Sequence, residues 1–282
     1  MRISYACLAL SLVFMPSATS AKDSRSASDA DIDKQRTALD NNTRDKGFGP
    51  QAPRDLESKT GSNRIQFSMA PHYSKMNLCN IHFHKNAEHK GGQFTKFAGN
   101  GNGHGFDTGF IYNGTLTSME ARPLPDKMCK NKHGGLEIGD TIEVHYVYST
   151  AEILPGVSLG ACFNETNKNP QLRVEAQVFV LVNNNKSADF MKLMAVGTKN
   201  NYQQALNIPT NTGRPIQYAG STTGPTYNEK GSPFQVTWSV RPQVIKVNAQ
   251  SVGKWCDGNV FKENHAHGVR NLVKNPKLLS AI

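Results

Sequence analysis

From about residue 140 onward, apolar and polar positions alternate with a period of two. The segments "TIEVHYVYS" (141–149), "LRVEAQVFVLV" (172–182), "PFQVTWSV" (233–240) and "QVIKVNAQSV" (243–252) are rich in Val, Ile and aromatic residues. Clusters of Gly, Asn and Pro separate them. This is the pattern of β-strands packed on at least one face. Helical periodicity is weak, and "SADFMKLMAVG" (187–197) is the best short helical segment. No internal repeat is present. The pattern predicts a mostly β fold: a single domain built on a large, mainly antiparallel β-sheet, with few short helices and long loops.

The first 60 residues differ in texture. "MRISYACLALSLVFMPSATS" starts with Arg2, runs apolar over residues 6–15 and ends in small residues, the three-part pattern of a secretory signal peptide over residues 1–21. Its apolar run is too short to span a bilayer, and no later segment has the ~18 unbroken apolar residues of a membrane helix. Cys7 lies within the leader, ahead of most of its apolar run, which argues against a lipid anchor. Residues 22–60 are polar, mixed in charge and poor in aromatic and β-branched residues. That composition predicts a flexible arm, dispensable for the fold, ahead of a domain over residues 61–282. The expected product is exported, periplasmic or secreted, without membrane insertion.

Export decides how the cysteines are read. Cys79, Cys129, Cys162 and Cys256 remain after the leader, an even number in an oxidising compartment, and none are spaced as CxxC. Two disulfides follow. The pairing Cys129–Cys162 with Cys79–Cys256 is favoured, because the first closes a loop around one predicted strand. The formal net charge of +10 could suggest nucleic acid. The Lys and Arg residues are scattered, however, without a basic run or basic–aromatic interleaving, so no nucleic-acid partner is expected.

The chemistry concentrates in "NIHFHKNAEHKGG" (80–92). On a strand, residues two apart share a face. His82 and His84 therefore present adjacent imidazoles, with Ile81 and Phe83 on the packed side. In "TIEVHYVYS", Ile142, Val144, Tyr146 and Tyr148 form one apolar face, and Glu143, His145 and Val147 form the other. If the two strands are neighbours, His145 completes a three-histidine set and Glu143 can orient a ligand imidazole. Three neutral nitrogen ligands with an open fourth position describe a catalytic zinc site. His89 competes for the third place, although its Lys and Gly neighbours suggest a turn. A second HxH pair, "NHAHG" (264–268), sits in a polar setting and reads as a surface pair. "GNGNGHGFDTG" (99–109) is not expected to cradle phosphate, since the pattern predicts no strand before it and no helix after it.

These residues carry a resemblance. "IHFHKNAEH" resembles the "HFHWG…EH" segment of α-type carbonic anhydrases, and "IEVHYVYS" resembles their "ELHLVH" strand. "YAGSTTGPTYNEKGSPFQVTWSV" (218–240) is similar to their "YxGSLTTPP…E…VTW" stretch, with one residue missing before the threonines and the second proline replaced. "MNLCNIHFHKNAEH" and "NVFKENHAHGVR" resemble the δ class most. The resemblance spans roughly residues 45–270, with its motifs in the family's order. It implies a zinc enzyme that hydrates carbon dioxide to bicarbonate and a proton. Zinc would be held by His82, His84 and His145, with Glu143 orienting a ligand histidine. Thr222 would accept a hydrogen bond from the attacking oxygen, with its own proton fixed by Glu88. Thr223 and Val147 would line the substrate pocket. For the proton relay, His104 in the glycine-rich loop and His72 are candidates. Two other readings are a cupin-type metalloenzyme, whose first motif also has HxH followed by Glu, and a zinc-binding protein without catalysis. The oligomeric state is unknown.

Overall fold

The computed structural model describes residues 26–221 and 223–282; the leader expected at residues 1–21 lies outside them. The strands are β1 (Asn77–Lys85), β2 (Lys96–Asn100), β3 (Thr108–Ile111), β4 (Met128–Asn131), β5 (Gly134–Leu136) and β6 (Thr141–Ser149). They continue as β7 (Leu172–Val182), β8 (Val196–Lys199), β9 (Tyr202–Ala205), β10 (Ile216–Ser221), β11 (Gln235–Val240) and β12 (Ile245–Asn248). Six of them form one sheet in the order β1-β6-β7-β11-β10, with β12 also paired to β7. The β1–β6, β6–β7 and β10–β11 pairs are antiparallel, whereas β7 is parallel to both β11 and β12. The mostly β expectation holds, and the large sheet is mixed.

Strand β6 is buried at every position, because other elements cover both faces of the sheet. Ile142, Val144, Tyr146 and Tyr148 join Ile81 and Phe83 in one core. Val147 packs with Val174, Ala176 and Trp238 in the other. On that second face Glu143 and His145 are buried among apolar neighbours, and buried polar groups must find partners.

Two expected elements change type. Alternation through 243–252 ends at Asn248, whose side chain accepts from the Ser251 N–H and caps helix α3 (Ala249–Asp257). The helix read over 187–197 shrinks to Phe190–Leu193, because Val196 starts β8.

The N-terminal arm is corrected more substantially. Residues Asp29–Thr43 form a helix, α1, started by a capping box between Ser28 and Asp31. Leu39 packs with Val273, Leu278 and Leu279 near the C-terminus. Polar contacts complete the docking: Arg36 Nε donates to Leu272 O at 3.2 Å and Gln35 Nε2 to Gly103 O at 2.9 Å. Gln51, Ala52, Arg54 and Leu56 are all buried. Composition misled here because the partners of this segment lie far along the chain, 68 residues away at Gly103 and 236 at Leu272.

The disulfide pairing is also corrected. Cys79 bonds Cys162, and Cys129 bonds Cys256, with Cα–Cα distances of 4.9 and 5.5 Å. The 3-10 turn Leu159–Cys162 folds back onto β1, where the Gly156 N–H donates to Cys79 O at 2.9 Å. Cys129 on β4 instead faces Cys256 on α3. The first pair is sealed at 0% exposure, and the second is 9% and 8% exposed on the wall of an open groove. Mild reductant under native conditions should therefore open Cys129–Cys256 first. Alkylation and mass mapping check this; labelling that started at Cys79 or Cys162 would contradict it. Loss of that bond should lower stability by about 2–5 kcal/mol.

Candidate metal centre

The register of β1 against β6 sets His82 opposite His145 and His84 opposite Glu143. Directly opposed residues of an antiparallel pair project to the same face. Ring centroids lie 5.3 Å apart for His82–His84, 5.1 Å for His82–His145 and 4.7 Å for His84–His145. One nitrogen of each ring is engaged away from the other two. His82 Nδ1 meets Asn80 Oδ1 at 2.7 Å, His84 Nδ1 meets Gly268 O at 2.9 Å, and His145 Nε2 meets Glu143 Oε1 at 2.9 Å. The remaining nitrogens converge: His145 Nδ1 lies 3.3 Å from His82 Nε2, and the three residues offer ligand atoms all within 4.8 Å of one another. A cation could be held there.

Electrostatics favour neutral ligands. Burial, reinforced by the neighbouring His145 and His84, holds the His82 imidazole well below its ordinary value. Burial also pushes His84 down to about 3. Burial alone would raise the Glu143 carboxyl; His89 and His145 outweigh it and hold Glu143 well below the usual carboxylate range. Glu143 is thus an anion behind the ring of His145.

His89 is not a fourth candidate for the same point. Its Nδ1 donates to Glu143 Oε1 at 2.6 Å, its backbone N–H donates to Oε2 at 3.1 Å, and its Nε2 meets Tyr218 OH at 2.7 Å. Both ring nitrogens are occupied, and the residue is fully buried rather than exposed on a turn. His89, Glu143 and His145 do lie close enough for a metal. Their mutual hydrogen bonds account for that proximity, with His89 bracing Glu143 behind the ring of His145.

Glu88 lines a small cavity of about 60 Å³ together with His82, His84, His145, Val147 and Thr223. Its partners are the buried Arg54 guanidinium at 3.7 Å and the Arg270 N–H at 3.2 Å. Burial would raise its carboxyl, but the Arg54 charge brings it below the ordinary value. The Thr223 hydroxyl is buried without a hydrogen-bond partner. Thr222 lies outside the described residues. Leu159, Val174 and Trp238 supply apolar wall.

A family model described as delta carbonic anhydrase matches residues 73–251, more than half of the chain. The chain belongs to the delta carbonic anhydrase family. No curated protein matches it significantly. Among solved structures, an α-carbonic anhydrase from Thermovibrio ammonificans, in complex with sulfanilamide, is 14% identical at a TM-score of 0.28. That match covers 79% of this chain and 84% of the other. The α-carbonic anhydrase of Photobacterium profundum is 15% identical at a TM-score of 0.27, covering 81% and 88%. Such loose superpositions carry no residue correspondences.

As a carbonic anhydrase the protein is an enzyme, a lyase acting on carbon dioxide and bicarbonate. Of its expected site residues, His82, His84, His145, Glu88, Val147 and Thr223 meet at one cavity, with Glu143 directly behind. His104 does not join them: it is exposed, its N–H donates to Asn102 Oδ1, and it lines neither the cavity nor its mouth. His72 is exposed as well and caps the turn Tyr73–Lys75. The "NHAHG" pair, read as surface, borders a wider mouth of about 360 Å³ shared with His82 and His84. Glu88 pairs with Arg54, which leaves the cupin-type reading without its carboxylate ligand. Asn80, Arg54 and Gly268 were not legible as site residues, because nothing local marks them. The repeat of HxH at 265–267 was the one available signal.

Proposed function

We propose that His82, His84 and His145 hold a zinc ion and that this centre carries the reversible hydration of carbon dioxide. The donor set fits: three imidazoles whose opposite nitrogens are already fixed by Asn80, Gly268 and Glu143. That convergence is the observation that carries the reading. Neutral ligands suit zinc in catalytic rather than structural sites. When bound, zinc brings the pKa of its water to about 7, a general value for carbonic anhydrases rather than one obtained from this chain.

The remaining work belongs to the protein. Glu143 accepts from His145 Nε2 and so keeps Nδ1 available on the metal side. Arg54 keeps Glu88 ionised, so a threonine hydroxyl beside it must donate its proton and can only accept from the attacking oxygen. We assign that hydroxyl to Thr222. Thr223 and Val147 serve as pocket wall, with Trp238 adding an apolar surface suited to a substrate without a dipole. Two disulfides are compatible with export to an oxidising compartment, which supports a periplasmic or secreted enzyme.

The test is metal analysis beside a hydration assay. About one zinc per chain is expected, with activity lost on chelation and restored by zinc alone. A protein that hydrated carbon dioxide at full rate without metal would overturn the proposal. One that bound zinc without turnover would return it to the carrier reading.

A further inference from the structure

Hydration of carbon dioxide by water yields bicarbonate and one proton per turnover, and the proton must reach bulk solvent. The acceptor has to border the water-accessible mouth, keep a nitrogen free and reach solvent. The chain has nine histidines. His82, His84 and His145 face one another, and His89 is sealed behind Glu143. His72 and His104 border neither cavity. His133 stacks on Phe106 with centroids 3.6 Å apart and lies off the mouth. His267 also borders the mouth, but its Nε2 is held by Glu263 at 2.7 Å and its ring packs edge-on against His82 at 5.5 Å, on the inner side of His265.

We propose that His265 is the residue that carries the proton from the mouth to bulk solvent. It borders the same cavity as His82 and His84 and is half-buried, so its ring faces the mouth and stays partly exposed. Its position follows from the backbone. The His267 N–H donates to Phe83 O and the Lys85 N–H to His267 O, so this segment runs along the free edge of β1. His265 and His267, two apart, turn to the same side, and their rings stack at 5.5 Å and 30°. Asn264 Oδ1 lies 2.5 Å from His265 Nδ1, which leaves Nε2 as the acceptor. Glu263 anchors His267, and His267 in turn supports the His265 ring.

The charges around this ring agree with the role. Burial lowers its pKa, the His267 and His133 charges lower it further, and Glu263 opposes them. An acceptor placed below the ordinary histidine value, about 6.5, hands its proton readily to buffer at neutral pH.

The proposal rests on the metal-centre reading above, so the experiment separates the two. His265→Ala and His265→Gln are compared with wild type at low and high buffer. Zinc content and kcat/KM report on the centre, and kcat at low buffer reports on His265. We expect zinc and kcat/KM unchanged, kcat at low buffer reduced about tenfold or more, and recovery with added imidazole. His104→Ala should match wild type throughout. A kcat unchanged at low buffer overturns the assignment. So does a parallel loss of kcat and kcat/KM without rescue, which would mark a structural role. Independently of activity, NMR of metal-free and zinc-loaded protein should show His265 titrating reversibly below the ordinary histidine value. A ring that never protonated within the stable range of the fold would also overturn it.

Discussion

Replacing His145 with Ala is expected to remove nearly all zinc and nearly all hydration activity, whereas His89→Ala should keep the metal and lose stability instead. The two imidazoles flank the same carboxylate: His145 Nε2 lies 2.9 Å and His89 Nδ1 2.6 Å from Glu143 Oε1. Only His145 turns its second nitrogen toward His82 and His84; the second nitrogen of His89 is held by Tyr218. Removing His145 deletes one of three ligands. His89→Ala keeps its backbone N–H on Oε2 but strips the Nδ1 bond, one of three hydrogen bonds to a carboxylate at 0% exposure, and breaking such a buried pair costs about 3–5 kcal/mol. Glu143→Gln should lie between them, retaining zinc with affinity weakened by ~10- to 100-fold. Metal analysis and denaturant unfolding on the same preparations separate these outcomes. If His89→Ala emptied the site and His145→Ala did not, the two-strand ligand set would be wrong.

Arg54→Met should destabilise the protein by about 3–5 kcal/mol at neutral pH, because it removes the ion-pair partner of the Glu88 carboxylate in a site only 3% exposed. The pH dependence fixes the cause. With Arg54 present, the Glu88 carboxyl sits below its ordinary value. A depressed carboxyl contributes stability above its unfolded pKa and loses it as pH falls through the folded value. Without Arg54, the largest influence opposing burial is gone, and burial favours the protonated acid. The gap between wild type and variant should thus be widest at neutral pH and narrow through the carboxylate range. A gap independent of pH would show that Arg54 acts by packing only. A chain beginning near Gly61 lacks Arg54, α1 and the buried residues 51–56 together. It is expected to aggregate, the reverse of what the composition of the arm suggested.

The parts of this molecule legible in its sequence are those governed by one strand at a time. Alternation in "TIEVHYVYS" separated Tyr146 and Tyr148 from Glu143 and His145, and both sets lie on the faces assigned to them. The same rule aimed His82 and His84 at one point, because a period of two is a property of the extended backbone itself. It failed where a single polar side chain redirected the chain, as Asn248 does in turning β12 into α3. What the tertiary structure alone decided are pairings between distant segments. The disulfides join residues 83 and 127 apart. The carbonyl of Gly268 orients His84 across 184 positions, and Arg54 reaches Glu88 from a segment whose composition looked unfoldable. His265 and His267 resemble any exposed pair until the edge of β1 draws them to the mouth beside His82 and His84. Local periodicity fixes the direction in which a side chain points. Which residue it meets depends on how the strands are ordered, and no short stretch of this sequence encodes that order.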